Sequence, residues 1–163
     1  LRRHFGGVHA VEGVSVDVLE LTTLAHRYID ESLDADDTRY AELAGAGELL
    51  PEWDDEWLAP QRERFRQTRL HALERLGERL ASEGRFGRAV EIGMMVVAAD
   101  PLRESAQRVL IRTFVAEGNA HEAFAQYLVY RDALRDDLGV DPSEEMEALI
   151  DELGIDSAWR RRG

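Results

Sequence analysis

Apolar residues recur at helical intervals along almost the whole chain. Val18, Leu21, Leu24, Ala25 and Tyr28 follow one another in steps of three and four, which predicts a helix over 17–30 with Asp17 as its N-cap. A short helix is expected over 38–44, stopped by Gly45 and Gly47. Pro51 then breaks the chain, and Asp54 or Asp55 is placed to cap a long helix running to about Glu83. Phe65, Leu73, Leu76 and Leu80 make one stripe along it, with Leu70 beside them, and Pro60 falls near its first turns, where a missing N–H is tolerated. Four more helices are predicted: 86–99, burying Phe86, Ala89, Val90, Met94 and Val97; 102–117, presenting Ala106, Val109, Leu110 and Phe114; 120–138, presenting Ala123, Phe124, Tyr127, Leu128, Leu134 and Leu138; and 143–153, presenting Met146, Leu149, Ile150 and Leu153. Asp100–Pro101 and Asp141–Pro142 are expected to serve as N-cap and first helical residue, with Glu144 completing a capping box behind Asp141. Only the opening "GGVHAVEGVSV" departs from the helical period. Its partial alternation between glycines predicts a strand or hairpin remnant.

The glycines order these helices into pairs. Gly84 and Gly118 stand 34 residues apart, and each follows an apolar helix end and precedes a helix with alanine five positions on, Ala89 and Ala123. A period of 34 is the tetratricopeptide interval. In the first unit Leu76, Gly77, Leu80, Gly84, Phe86, Ala89 and Pro101 fall where that repeat needs its packing residues. Gly77 and Ala89 are the expected close contacts and Gly84 the left-handed turn. The second unit is degenerate: Ile111 replaces the small residue, and Arg135 stands where proline is expected. The predicted fold is therefore all-α, with antiparallel helix pairs stacked as a right-handed tetratricopeptide-like solenoid, and Gly77, Gly84, Ala89, Gly118 and Ala123 as helix-packing positions. Such stacks present extended surfaces to protein or peptide partners.

Composition agrees and narrows the function. The 163 residues suit one domain, and 44% hydrophobic residues can build a core. There is no cysteine, which removes disulfides and thiolate metal sites and suits a cytoplasmic protein. The net charge is −13, and all twenty basic residues are arginine. A surface this negative is repelled by nucleic acid phosphate, so the chain alone is not expected to bind DNA. The longest apolar run, Met94 to Ala99, is far shorter than a membrane span, and no signal peptide is visible. Because the chain opens at Leu1, it reads as a piece of something longer.

Catalytic chemistry is hard to find. His4, His9, His26, His71 and His121 lack metal-ligand spacing, and no nucleophile elbow or phosphate-binding loop occurs. The adjacent carboxylates Asp36/Asp37, Asp54/Asp55, Asp136/Asp137 and Glu144/Glu145 diverge by about 100° on a helix and do not converge as acid–base partners. No enzyme, cofactor or metal is expected. Arg62, Arg66 and Arg69 share a helix face and are candidates for contact with an anionic partner, weighed against pairing with Glu63, Glu74, Glu78 or the acidic 52–56 segment. Trp53 and Trp57 are expected to wedge helices together, and Arg160–Arg162 to form a tail. Tyr127 and Tyr130 are the aromatic candidates for partner binding in the concave groove.

Three stretches together carry a family resemblance: "VSVDVLELTTLAHR", "ELLPEWDDEWLAPQRERFRQTRLHALERLGERL" and "DPLRESAQRVLIRTFVAEGNAHEAFAQYLVYRDALRDDLGVDPSEEMEAL". The most specific parts are "ADPLRESA" and "LGVDPSEEM" following "YRDALRDD". From about Val14 to Leu153 the chain resembles the bacterial transcriptional activator domain of the Streptomyces antibiotic regulatory protein type. The resemblance implies a helical domain C-terminal to a winged-helix DNA-binding domain, supporting dimerisation and activation by contact with transcription machinery. On that reading residues 1–13 are a remnant or linker from the preceding domain, 14–155 the helical domain and 156–163 a tail. DNA is then reached only through the separate N-terminal domain, and the helical domain works as a protein-binding module and possible homodimer. The alternative is a tetratricopeptide-like adaptor outside transcription.

Overall fold

The computed structural model describes residues 8–35, 37–46 and 59–154, with side chains from Val18 onward. Among them are seven helices and no strand: α1 (Val8–Ile29), α2 (Tyr40–Gly45), α3 (Ala59–Ser82), α4 (Phe86–Ala99), α5 (Glu104–Glu117), α6 (Ala120–Leu138) and α7 (Glu144–Glu152). The expectations for Leu1–Gly7, Pro51, Trp53, Asp54, Asp55, Trp57 and the tail 155–163 lie outside the described residues. Two compact units, Leu1–Leu73 and Glu74–Gly163, divide the chain within α3.

The strand expected in the opening segment is corrected to helix. α1 starts at Val8, so Asp17 lies inside it rather than at its start. Val11, Val14, Val18, Leu21 and Ala25 follow at i, i+3, i+7, i+10 and i+14, and this helical period overrides the local alternation of valines 14, 16 and 18. In the first unit Leu24, Ala25 and Tyr28 of α1 are buried, as are Leu33 and Ala35 of the connection and Leu43 of α2. The Tyr28 hydroxyl donates to the Asp37 carbonyl at 3.2 Å and to its carboxylate at 3.3 Å. Burial, then the Asp37 charge, pushes the phenol up to about 12. The Arg39 guanidinium grips the same carboxylate at 3.0 and 3.1 Å and, with its own backbone N–H, holds it down at about 2.

The second unit is built on turns that repeat after 34 residues with the same bonds. Arg85 N–H reaches the Leu80 carbonyl at 2.8 Å and Gly84 N–H that of Ala81 at 3.0 Å; Asn119 reaches Phe114 at 2.8 Å and Gly118 reaches Val115 at 3.0 Å. Gly84 at φ +73° and Gly118 at φ +93° supply the left-handed residue that this closure needs. Such short turns bring each helix back alongside the last. α5 is covered on both sides: Leu110 meets α4, and Ile111 joins a cluster with Ala123, Phe124, Tyr127, Tyr130, Leu134, Met146, Leu149 and Ile150 of α6 and α7. Each fully buried aliphatic side chain here contributes roughly 1.5–3 kcal/mol.

Two helix starts differ from expectation. Asp100 and Pro101 form the turn that ends α4, the Asp100 carbonyl accepting from Arg103 N–H at 3.2 Å, and α5 starts at Glu104. Ser143 rather than Asp141 caps α7, its hydroxyl accepting from Met146 N–H at 3.2 Å, while Asp141 pairs with Arg135 in solvent. α4 is also rotated from the predicted face. Ala89, Ile92, Gly93 and Val96 are buried, whereas Met94 is exposed.

These glycines make different demands. A Cβ at Gly77 would rest 3.8 Å from Ile92 Cγ2 and 3.9 Å from the Ala89 carbonyl oxygen, ordinary contact, so Gly77→Ala is expected to raise stability by about 0.5 kcal/mol in urea unfolding through helix propensity. Gly118→Ala is expected to cost about 1 kcal/mol, because alanine must adopt a left-handed backbone. Equal effects at the two positions would contradict this assignment of roles.

Candidate interaction surface

The packing candidates fall into two groups. Gly77, Ala89 and Ala123 are buried where helices meet, while Gly84 and Gly118 are exposed turn residues with open space about them. The tightest approach is one that spacing did not single out: a Cβ at Gly93 would stand 3.1 Å from Leu110 Cδ1, closer than at Gly77.

Tyr127 and Tyr130 do not line an open groove. They are 7% and 2% exposed, inside the α5–α6–α7 cluster, which corrects their assignment as partner-binding aromatics. Their rings face the core because α6 turns the stripe Ala123–Tyr127–Tyr130–Leu134 inward, and their hydroxyls end on carboxylates. Tyr127 donates to Glu147 at 2.6 Å, and Tyr130 to Glu104 at 2.9 Å. Glu104 gathers four donors in all, adding Arg108 at 2.6 Å, the Ser143 N–H at 3.1 Å and the Ser143 hydroxyl. Burial alone would raise this carboxyl; the bonds from Ser143, then Tyr130 and Arg108, hold it below the ordinary carboxylate range. Burial and the bond to Glu104 push the Tyr130 phenol up. One carboxylate of α5 thus ties down both α6 and the start of α7.

Two further polar ties are invisible to spacing. Glu74 is only 7% exposed and accepts Arg103 Nε at 2.7 Å, Arg103 Nη2 at 3.2 Å and the Ser105 hydroxyl at 2.7 Å. Buried Gln107 donates to the Pro101 carbonyl at 2.8 Å and accepts from Gln126 at 2.8 Å. Both sets join residues far apart in sequence, and both hold helices in register.

The arginines of α3 sit at i, i+4 and i+7, all partly exposed. Arg66 pairs with Glu63 at 3.0 Å, and Arg62 is also engaged. Among the described residues the Arg69 Nε is buried without an acceptor, and burial, then the Arg66 charge, lowers the guanidinium pKa.

The outward side of α4 is one apolar surface left open among the described residues, besides the exposed Leu19, Val129, Leu138 and Val140. Gly87, Val90, Met94 and Ala98 follow at i, i+3, i+7 and i+11, flanked by Met95; Met94 is 47% and Met95 37% exposed. Glu91 is the only acid in this helix. Elsewhere, a cleft of about 640 Å³ beside α1 and α2 is walled by Leu19, Leu21 and Leu24 with Arg27 and Glu42 at its edge. Among the described residues no three side chains come together to hold a metal ion, and no helix is long and apolar enough to cross a membrane.

Sequence comparison agrees with this architecture. The family model for the bacterial transcriptional activator domain matches residues 21–154. The chain is also similar to the regulatory protein AfsR of Streptomyces coelicolor (strain ATCC BAA-471 / A3(2) / M145), with 33% identity over 156 residues, covering 88% of this chain and 15% of that protein. A helical, paired architecture and a family match over most of its length lead to one conclusion: the chain belongs to the bacterial transcriptional activator domain family, of the Streptomyces antibiotic regulatory protein type, and is an activator domain of a transcriptional regulator.

Proposed function

We propose that this domain, over about 14–155, acts without catalysis as the protein-interaction part of a cytoplasmic regulator, supporting transcription activation chiefly by self-association. DNA is contacted through a separate N-terminal domain. The observation that supports this most is the uncovered apolar side of α4. Two copies that each carry −13 repel one another, so they can meet only where acid is scarce. The outer side of α4, with Glu91 as its one carboxylate and Arg88 beside it, is such a place. Methionine suits it, because an unbranched thioether adapts to a second surface.

Sedimentation over a concentration range tests this reading. The wild-type chain is expected to shift from monomer toward dimer, and Met94→Glu to weaken association at least about tenfold by burying an unpaired charge. A wild-type chain that stays monomeric throughout contradicts self-association. In gel mobility assays at physiological salt the isolated domain is expected to give no specific shift with promoter DNA. Recruitment of a second protein is the other reading, favoured by the buried Nε of Arg69 that lacks an acceptor.

A further inference from the structure

Between Ala59 and Leu73, α3 carries four arginines and one glutamate, a basic exception on a chain of net charge −13. Arg62, Arg66 and Arg69 fall at i, i+4 and i+7, so a rise of about 1.5 Å per residue spaces them at roughly 6 and 4.5 Å along one face. Arg69 sets this stripe apart from an ordinary solvated face. Its Nε is buried and has no acceptor among the described residues. A guanidinium cannot shed its proton, and a buried donor without a partner weakens the fold that carries it. Its neighbour Arg66 adds like charge to the same place. The arrangement is unfavourable in the free chain, and an anion at the open end of the guanidinium offsets its charge.

We propose that the Arg62–Arg66–Arg69 face of α3 docks an acidic helical segment of a protein partner, with Arg69 taking one of its carboxylates at the open Nη end of the guanidinium. This names the partner chemistry for the recruitment reading and rests on it. Two arguments favour a helix over nucleic acid. Carboxylates at i, i+4 and i+7 of a partner helix repeat at the pitch of the arginines themselves. Duplex DNA carries about one charge per 1.7 Å, so a domain of net −13 repels it far more than a segment with three carboxylates.

The test titrates the full chain, by fluorescence anisotropy, with a helical peptide bearing glutamates at i, i+4 and i+7. Its glutamine twin and a DNA duplex are run at the same salt. The wild type is expected to bind the glutamate peptide and not the twin, Arg69→Met to bind it about tenfold more weakly, and Arg69→Lys to fall between them, since lysine restores the charge without the fork. Without ligand, Arg69→Met is expected to melt about 2 °C higher than the wild type, because methionine keeps the buried stem and removes the unsatisfied donor. Equal peptide binding by Arg69→Met, no binding by the wild type, or a lower melting point for Arg69→Met would overturn the proposal. Tighter binding of the duplex than of the peptide would overturn the choice of occupant and make the stripe a phosphate contact. Dimerisation is read separately by sedimentation, so the stripe and the self-association reading can fail independently.

Discussion

A chain with alanine in place of Glu74 is expected to lose about 3 kcal/mol of unfolding free energy, the largest single effect predicted for this domain. The carboxylate is almost fully enclosed and receives the fork of Arg103 and the hydroxyl of Ser105. Attraction between the two charges offsets the cost of drying them, so the intact pair adds little net stability. Removing one partner is different, because it leaves the Arg103 guanidinium, itself mostly buried, without its counter-charge. Replacing Glu74 and Arg103 together by methionine is therefore expected to cost much less than either single loss, and a double-mutant cycle in urea would register the difference. A loss below about 1 kcal/mol for Glu74→Ala would place the pair among weak, screened surface bridges.

The second large effect belongs to Glu104. Glu104→Ala removes the acceptor for Tyr130, Arg108 and both donors of Ser143, and about 2 kcal/mol is expected to go with it. The start of α7 loses its anchor to α5, so amide exchange should accelerate first in Glu144–Glu152 and only later in α4. The pH dependence has a definite sign. A carboxyl whose folded pKa lies below its unfolded value contributes stability above the unfolded pKa and loses it as pH falls through the folded one. Glu104 and Asp37 are both displaced downward, Asp37 to about 2, so stability is expected to hold above about pH 5 and to fall toward pH 2. In Glu104→Ala that acid slope should be shallower. An equal slope would mean that Glu104 is not held by these donors.

Where the sequence alone was enough, the reason is local. The limits of α4 and α6 follow from Gly84 and from Gly118–Asn119, since a left-handed turn residue leaves a mark that spacing can find. The stripe Phe65–Leu70–Leu73–Leu76–Leu80 is likewise plain, because the large side chains elsewhere on α3 are polar. α4 hid its orientation for the opposite reason. With only Arg88 and Glu91 to mark its outer side, its period is weakly phased, and Met94 was assigned to the core when Ile92 and Val96 occupy it. The Asp–Pro pairs looked like helix caps, yet an Asp–Pro also makes a sound turn, and Ser143 was free to cap α7 instead. Tyr127 and Tyr130 were placed in an open groove, whereas their rings are buried and two carboxylates meet their hydroxyls at the rim of the core. The pairing of Glu74 with Arg103, 29 positions on, and the lack of an acceptor for Arg69 Nε depend on tertiary placement and leave no periodic trace.

Three methionines allow the association surface to be watched directly. Met94 and Met95 stand on the outer side of α4, and Met146 is fully enclosed between helices. With their methyl groups labelled for NMR, raising the protein concentration through the range where dimers form should move or broaden the signals of Met94 and Met95 and leave Met146 in place. Dimers that form while Met94 and Met95 stay unchanged would show that the copies meet somewhere other than α4.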